Sequence, residues 1–173
     1  VTHEYLDKTI EIEVPILDKE KNNLHDKAYL CVHNYYEWKP LAVGSYLENG
    51  MCSFKNVVGD NIFMVADVTD NGALRYLTAP FYVSPNGEVH LFIPQPEQKF
   101  SYTFDKKKRN RDYTLHYWDV DRKSFVSIPC KSSTDSMQTY EQIPENALYW
   151  LTLPERIVNQ RMFFIEQDTI RRY

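Results

Sequence analysis

The sequence is short of cysteine and of long apolar runs, and each shortage excludes a class of protein. Its three cysteines, Cys31, Cys52 and Cys130, form neither the framework of a disulfide-rich domain nor a C-x-x-C metal pair. No apolar run approaches the roughly twenty residues that a membrane-spanning helix needs. We therefore expect no membrane span in this chain and no disulfide scaffold.

Concentrated positive charge is also lacking, which argues against a nucleic-acid partner. The 173 residues carry a formal net charge of −4, whereas nucleic-acid binding needs a basic face. The basic run KKKRNR at 106–111 is short and is followed at once by Asp112. It is predicted to be a solvated linker.

The motifs of well-known catalytic and metal sites are absent from the sequence as well. It contains no P-loop, G-x-G-x-x-G, G-x-S-x-G or H-E-x-x-H motif. Two acidic segments, DVTDNG at 67–72 and DVDRKS at 119–124, lack the downstream glutamate of a calcium loop and are predicted to be turns between strands. The sequence predicts no catalytic residue, no metal ligand and no cofactor.

Strand patterns dominate what is present, and they predict an all-β protein. The segment TIEIEVPI alternates apolar and polar positions, so one face is predicted to be buried. Asn49-Gly50 predicts a hairpin with a type I′ turn, because both residues tolerate a positive φ. The residues on the predicted buried face of the first strand are Ile10, Ile12, Val14 and Ile16.

A change of composition predicts two domains. All five glycines lie before residue 90, and the basic run at 106–111 separates two β-rich halves. We place the boundary there, which gives domains at 1–105 and 106–173. Because the second half is small for an independent core, we expect two small β-sandwich domains docked against each other.

The stretch YLCVHNYYEWKPLAVG, residues 29–44, is predicted to be a β-hairpin with its tip at 34–37. Cys31 and His33 are two positions apart and share one face of the predicted strand. A reactive thiol needs a lowered pKa, exposure and an orienting group, and this spacing supplies proximity alone. Cys31 is therefore predicted to be structural.

Aromatic residues make up 14% of the chain, and several cluster near predicted hairpin tips. Exposed tyrosine and tryptophan rings stack on sugars or anchor protein interfaces, whereas in small sandwiches most aromatic rings pack inside. Both alternatives stay open for this group. The candidate ligand-binding residues are Tyr35, Tyr36, Trp38 and Trp118.

Two stretches of the first half are IEIEVPILDKEKNNLHDKAYLCV and ENGMCSFKNVVGDNIFMVA. They resemble the prealbumin-like repeat of carboxypeptidase-regulatory-like domains. That pattern has a strand, an acidic turn, a small residue that opens the next strand, and then G-x-x-x-F-x-x-V. In this sequence Ala28, Gly50, Phe54 and Val57 take those places. The resemblance implies a prealbumin-like or immunoglobulin-like Greek-key sandwich for the first domain.

Four stretches cover most of the chain: AYLCVHNYYEWKPLAVGSYLENGMCSFKNV, APFYVSPNGEVHLFIP, YTLHYWDVDRKSFVSI and IPENALYWLTLPERIVNQRMFFIEQDTIRRY. Through them the chain resembles the C-terminal β-domains of exported transglutaminase-like proteins of gut Bacteroidetes. The resemblance implies an exported protein, located in the periplasm, at the outer-membrane surface or outside the cell. It also implies an upstream catalytic domain as a partner in the same polypeptide, and no catalytic residue here.

Three functional hypotheses follow from these observations. The first is a non-enzymatic accessory module that contacts a glycan or a surface protein. The second is the substrate-positioning C-terminal part of a transglutaminase-like or protease-like enzyme whose catalytic domain lies upstream. The third is a plain structural spacer. Exposed aromatic side chains would favour binding, and buried ones would favour the spacer.

Overall fold

The computed structural model describes residues 9–34, 37–105, 112–153, 162–166 and 169–172. In these ranges the protein is all-β, as predicted, and its only helical element is one 3-10 turn at Asp18–Glu20. The chain divides into two compact units, residues 1–91 and residues 92–173. The fold is of the sandwich type, built from antiparallel strands.

The first unit is built on one large antiparallel sheet. The strand order is β1-β4-β3-β2-β5-β7-β8, and β6 pairs with β5. The outer strands β1 and β8 approach each other, so the sheet curls around its own core. The strands are β1 (Ile10–Pro15), β2 (Ala28–Asn34), β3 (Glu37–Tyr46), β4 (Met51–Val57), β5 (Asn61–Val68), β6 (Leu74–Tyr76), β7 (Phe81–Val83) and β8 (Val89–Leu91).

The alternation in β1 decides which side chains enter this core, and the predicted face is confirmed. Ile12, Val14 and Ile16 are buried, and Ile10 packs against the same cluster. The intervening glutamates are exposed. The core also receives side chains from β2, β4, β5 and β7, namely Ala28, Leu30, Cys52, Phe54, Val57, Phe63, Val65, Phe81 and Val83.

The hairpin predicted for 29–44 is formed by β2 and β3, which pair from Ala28 with Gly44 to Asn34 with Glu37. The register shifts between Leu30 and Cys31, so that Leu41 is an extra residue on β3. Such a bulge bends the strand that carries it. The predicted tip residues Tyr35 and Tyr36 lie outside the described residues.

The turn at Asn49-Gly50 joins two strands as predicted, but its type differs. Gly50 has φ +79°, and Asn49 is not among the residues with positive φ. The Gly50 amide donates to the Leu47 carbonyl, and the Leu47 amide donates to Met51. This is the three-residue loop of a type I turn followed by a left-handed glycine, rather than a two-residue type I′ turn.

The same hydrogen-bond pattern recurs at the two other Asn-Gly dipeptides of this unit. The Gly72 amide donates to Thr69 at 2.9 Å, and the Gly87 amide donates to Ser84 at 3.0 Å. The same turn type, a type I turn followed by a left-handed glycine, therefore closes three hairpins of the first unit.

Gly44 is expected to be more sensitive to substitution than any of these turn glycines. A methyl group at position 44 would overlap the buried Phe54 ring and the Ser53 carbonyl oxygen. We expect Gly44→Ala to lower the free energy of unfolding by about 3 kcal/mol, since overpacking strains a rigid core. Urea denaturation measures the loss.

Gly72→Ala is the matched control for Gly44→Ala. No atom lies within 4 Å of the added methyl group, so only the cost of the φ of +81° remains. We expect a loss of about 1 kcal/mol there. Equal losses in the two variants would contradict a steric origin at position 44.

The second unit packs a five-stranded sheet against a three-stranded sheet. The strand orders are β11-β10-β14-β15-β16 and β12-β13-β9. The strands are β9 (Gln95–Asp105), β10 (Thr114–Asp119), β11 (Ser124–Ile128), β12 (Ser132–Ser133), β13 (Met137–Glu145), β14 (Tyr149–Thr152), β15 (Met162–Glu166) and β16 (Thr169–Arg172). Its core draws on both sheets, through Tyr102, Leu115, Tyr140, Ile143, Ala147, Tyr149 and Phe163.

The division between the units lies earlier than the predicted boundary at residue 105. The reason is the pairing of β9, which runs antiparallel to β13 and aligns Tyr102 with Tyr140. Residues 95–105 therefore complete the three-stranded sheet of the second unit. The basic run at 106–111 lies outside the described residues.

Candidate functional site

Both predicted ligand-binding tryptophans are buried. Trp38, on β3, is 2% exposed and lies edge-on to the His33 ring, with the ring centroids 5.2 Å apart. Trp118, on β10, is 4% exposed and lies edge-on to Phe125 at 5.1 Å. Neither indole presents a free face to solvent, so the stacking role predicted for this group rests on Tyr35 and Tyr36 and stays a prediction.

Cys31 and His33 share a face of β2, as the spacing predicted, but they do not form a reactive pair. Cys31 is fully buried, and burial raises the pKa of its thiol to about 12. Its sulfur lies 3.7 Å from the Tyr29 carbonyl oxygen. A thiol with such a pKa is almost entirely protonated at neutral pH and is a poor nucleophile.

The most organised polar cluster of the first unit was not predicted from the sequence. Asp67 ends the inward-facing series of β5, and its side chain is fully buried. Arg75, its cross-strand partner on β6, donates to both carboxylate oxygens, from Nε at 2.9 Å and from Nη2 at 2.6 Å. The Tyr46 hydroxyl donates at 3.1 Å and the His25 amide at 3.2 Å, both to Asp67 Oδ2.

These contacts decide the ionisation of the cluster. Burial alone would raise the pKa of Asp67, but the hydrogen bonds from Arg75, His25 and Tyr46, with the charge of Arg75, hold it below its usual value. Burial and the Asp67 charge raise the pKa of Tyr46 well above its usual range. The carboxylate is therefore charged and the phenol neutral at neutral pH, which suits anchoring rather than proton transfer.

The cluster fixes the loop that precedes β2. The guanidinium of Arg75 also donates to the Asn23 carbonyl, and the Tyr46 hydroxyl lies 3.2 Å from the Lys27 carbonyl oxygen. One buried carboxylate thus organises the loop over residues 23–27. The Asp67–Arg75 pair could have been predicted from the sequence, because the turn at 69–73 places Asp67 opposite Arg75.

A polar groove opens beside this cluster. Its volume is about 470 Å³, and it lies between the loop before β2 and the turn after β5. Two of its lining side chains approach each other, with His25 Nδ1 3.8 Å from Asp70 Oδ1. The groove is lined by His25, Asp26, Lys27, Tyr29, Val68 and Asp70.

Comparison with known proteins gives no match from which a role for this cluster or groove could be taken. No family model, curated protein or solved structure matches the chain. The resemblance to exported transglutaminase-like proteins therefore stays a prediction. Within the described ranges, no three His, Cys, Asp or Glu side chains are grouped so that they could hold a metal ion. The described part of the chain also contains no helix of the length and apolar character that crossing a bilayer requires.

Proposed function

We propose that the chain is a non-catalytic accessory module of an exported or cell-surface bacterial protein, and that it contacts a glycan or a surface protein. The observation that carries the non-catalytic part is the state of Cys31. Its burial and its raised pKa support this part of the proposal, because a transglutaminase-like or protease-like reaction needs an accessible thiol that ionises readily. Asp67, the other buried ionisable group with well-defined partners, already forms an ion pair with Arg75.

The outer surface of the β2–β3 hairpin supports a contact role. Leu41 and Val43 are 63% and 58% exposed, and both lie on β3. Single exposed aliphatic residues are ordinary, but two of them only two positions apart on one strand add apolar area suited to a partner. The flanking Glu37 and Lys39 side chains are also exposed and would give such a contact a polar rim.

Thiol reactivity tests the non-catalytic part of this proposal. In the native protein, we expect a disulfide-exchange reagent at pH 8 to label Cys130, the exposed cysteine, and to leave Cys31 and Cys52 unmodified. All three should react in guanidinium chloride. We also expect no incorporation of a fluorescent primary amine into casein above the level of a Cys31→Ser variant.

The Cys130→Ser variant is the control, because it should abolish rapid labelling and leave only the slow reaction that accompanies unfolding. Rapid labelling of Cys31 in this variant would contradict the proposal. Amine incorporation that disappears in Cys31→Ser would contradict it as well.

A further inference from the structure

The groove beside the Asp67–Arg75 pair has the volume of a small-ligand site. Its volume of about 470 Å³ falls within the range of roughly 300–1,000 Å³ that is usual for such sites. Every lining residue belongs to the first unit.

The walls of the groove are held in place before any ligand binds. On one side, the His25 amide donates to Asp67, and the Lys27 carbonyl oxygen lies 3.2 Å from the Tyr46 hydroxyl. On the other side, the turn after β5 is closed by the Thr69 amide, which donates to the Ala73 carbonyl at 2.8 Å. A preformed wall reduces the entropy that a ligand must lose on binding.

The lining combines an aromatic residue with short polar side chains. Tyr29, on β2, is half-buried, and Val68 adds a second apolar contribution. Asp26 and Asp70 supply carboxylate acceptors, while Lys27 supplies ammonium donors. A sugar ring matches this combination, because its C–H face packs on an aromatic side chain and its hydroxyls donate to carboxylates and accept from lysine.

The charge of the lining selects among sugars. Two carboxylates and one ammonium group leave the groove with an excess of negative charge when His25 is neutral. An anionic ligand such as a uronic acid or a phosphate would meet like charge at short range. A neutral sugar meets no such repulsion.

We infer that this groove binds a neutral saccharide, with Tyr29 against the sugar face and Asp26 and Asp70 accepting from its hydroxyls. This inference rests on the proposed binding function and names the ligand class and the site. The affinity of a single open groove is modest, with a dissociation constant on the order of 1 mM.

Nuclear magnetic resonance titration of the full 173-residue chain tests the inference. The probes are glucohexaose, mannohexaose and xylohexaose, with an oligogalacturonate as the anionic comparison. We expect at least one neutral hexasaccharide to shift the backbone amide signals of residues 25–29 and 68–70, and we expect the oligogalacturonate to shift none of them.

Asp70→Asn is the most direct variant, because the Asp70 side chain is 97% exposed and its loss should leave the fold intact. We expect it to weaken binding about fivefold, the loss of one charge-assisted hydrogen bond. Tyr29→Leu should weaken binding further, whereas Tyr29→Phe should retain most of it. The matched control is Asp18→Asn, an equally exposed aspartate outside the groove, which should bind like the unchanged protein.

The possible failures are distinguishable. Shifts by a saccharide at other surface residues would refute this groove and leave the proposed binding function standing. If none of the saccharides causes any shift, both this inference and the glycan part of the proposed function are wrong. Shifts of the groove amides by calcium chloride, with no response to sugar, would overturn the inference in favour of a cation site.

Discussion

Asp67→Asn is expected to lower the free energy of unfolding by about 3 kcal/mol, because it removes one partner of a buried ion pair. Arg75 would keep its charge while only 20% of its side chain reaches solvent. The new amide would also present N–H donors to groups that already donate. Removal of the carboxylate therefore leaves the largely buried guanidinium with only the more distant carboxylate of Glu20, whose Oε2 lies 4.0 Å from Arg75 Nε, and with misdirected hydrogen bonds.

Two comparisons isolate the origin of that loss. Asp18→Asn breaks an exposed pair with Lys21, 2.9 Å apart, and should change the unfolding free energy by no more than about 0.5 kcal/mol. The double variant Asp67→Asn/Arg75→Gln removes both charges and should recover part of the loss. If Asp67→Asn costs no more than the Asp18 control, the pair does not anchor the fold.

The pH dependence of the loss follows from the direction of the pKa shift. The pKa of Asp67 is lower in the folded protein than its usual value of about 4, so the charged pair contributes fully above that value. Its contribution disappears as the pH falls through the lowered pKa. The difference between the unchanged protein and Asp67→Asn should therefore be constant from pH 7 to about pH 5 and shrink below about pH 4.

Local patterns predicted the strands well because a strand's period and its turns lie within a few residues. The alternation around Ile12 and Val14 depends only on which face meets the core, and that face was assigned correctly. The Asn49-Gly50 dipeptide located its hairpin correctly. The turn type at Gly50 was wrong, since the dipeptide alone does not tell a two-residue loop from a three-residue loop.

These local patterns did not predict the long-range contacts. His25 and Tyr46 reach Asp67 from 42 and 21 residues away, and nothing in their local sequence marks that meeting. The placement of β9 in the second unit depends likewise on pairing with β13, which no composition change reveals. Trp38 is buried although it lies near a hairpin tip, and its ring packs edge-on against His33, its partner on the neighbouring strand.

Gln138 is the fully buried polar residue of the second unit whose substitution is expected to be costly. It lies on β13, its side chain is fully buried, and its amide pairs with the backbone of Tyr113 like a neighbouring strand. Its Oε1 accepts from the Tyr113 amide at 2.7 Å, and its Nε2 donates to the Tyr113 carbonyl at 3.0 Å. The Tyr140 hydroxyl donates to the same carbonyl at 2.7 Å. One side chain thus joins β13 to the residue before β10, and so links the two sheets.

Gln138→Leu is expected to lower the free energy of unfolding by about 3 kcal/mol. It leaves the Tyr113 amide buried without its acceptor, and an unsatisfied buried polar group loses its full desolvation free energy. Leucine has a similar volume, so a cavity contributes little.

Gln95→Leu, at an exposed position of β9, is the matched control and should change stability by less than about 0.5 kcal/mol. Chemical denaturation measures the stability of both variants. Hydrogen exchange of the Tyr113 amide shows whether the loss comes from its hydrogen bond to Gln138. Exchange of that amide should be far faster in Gln138→Leu than in Gln95→Leu. An equally protected Tyr113 amide in the two variants would show that the sheets are held together without this side chain.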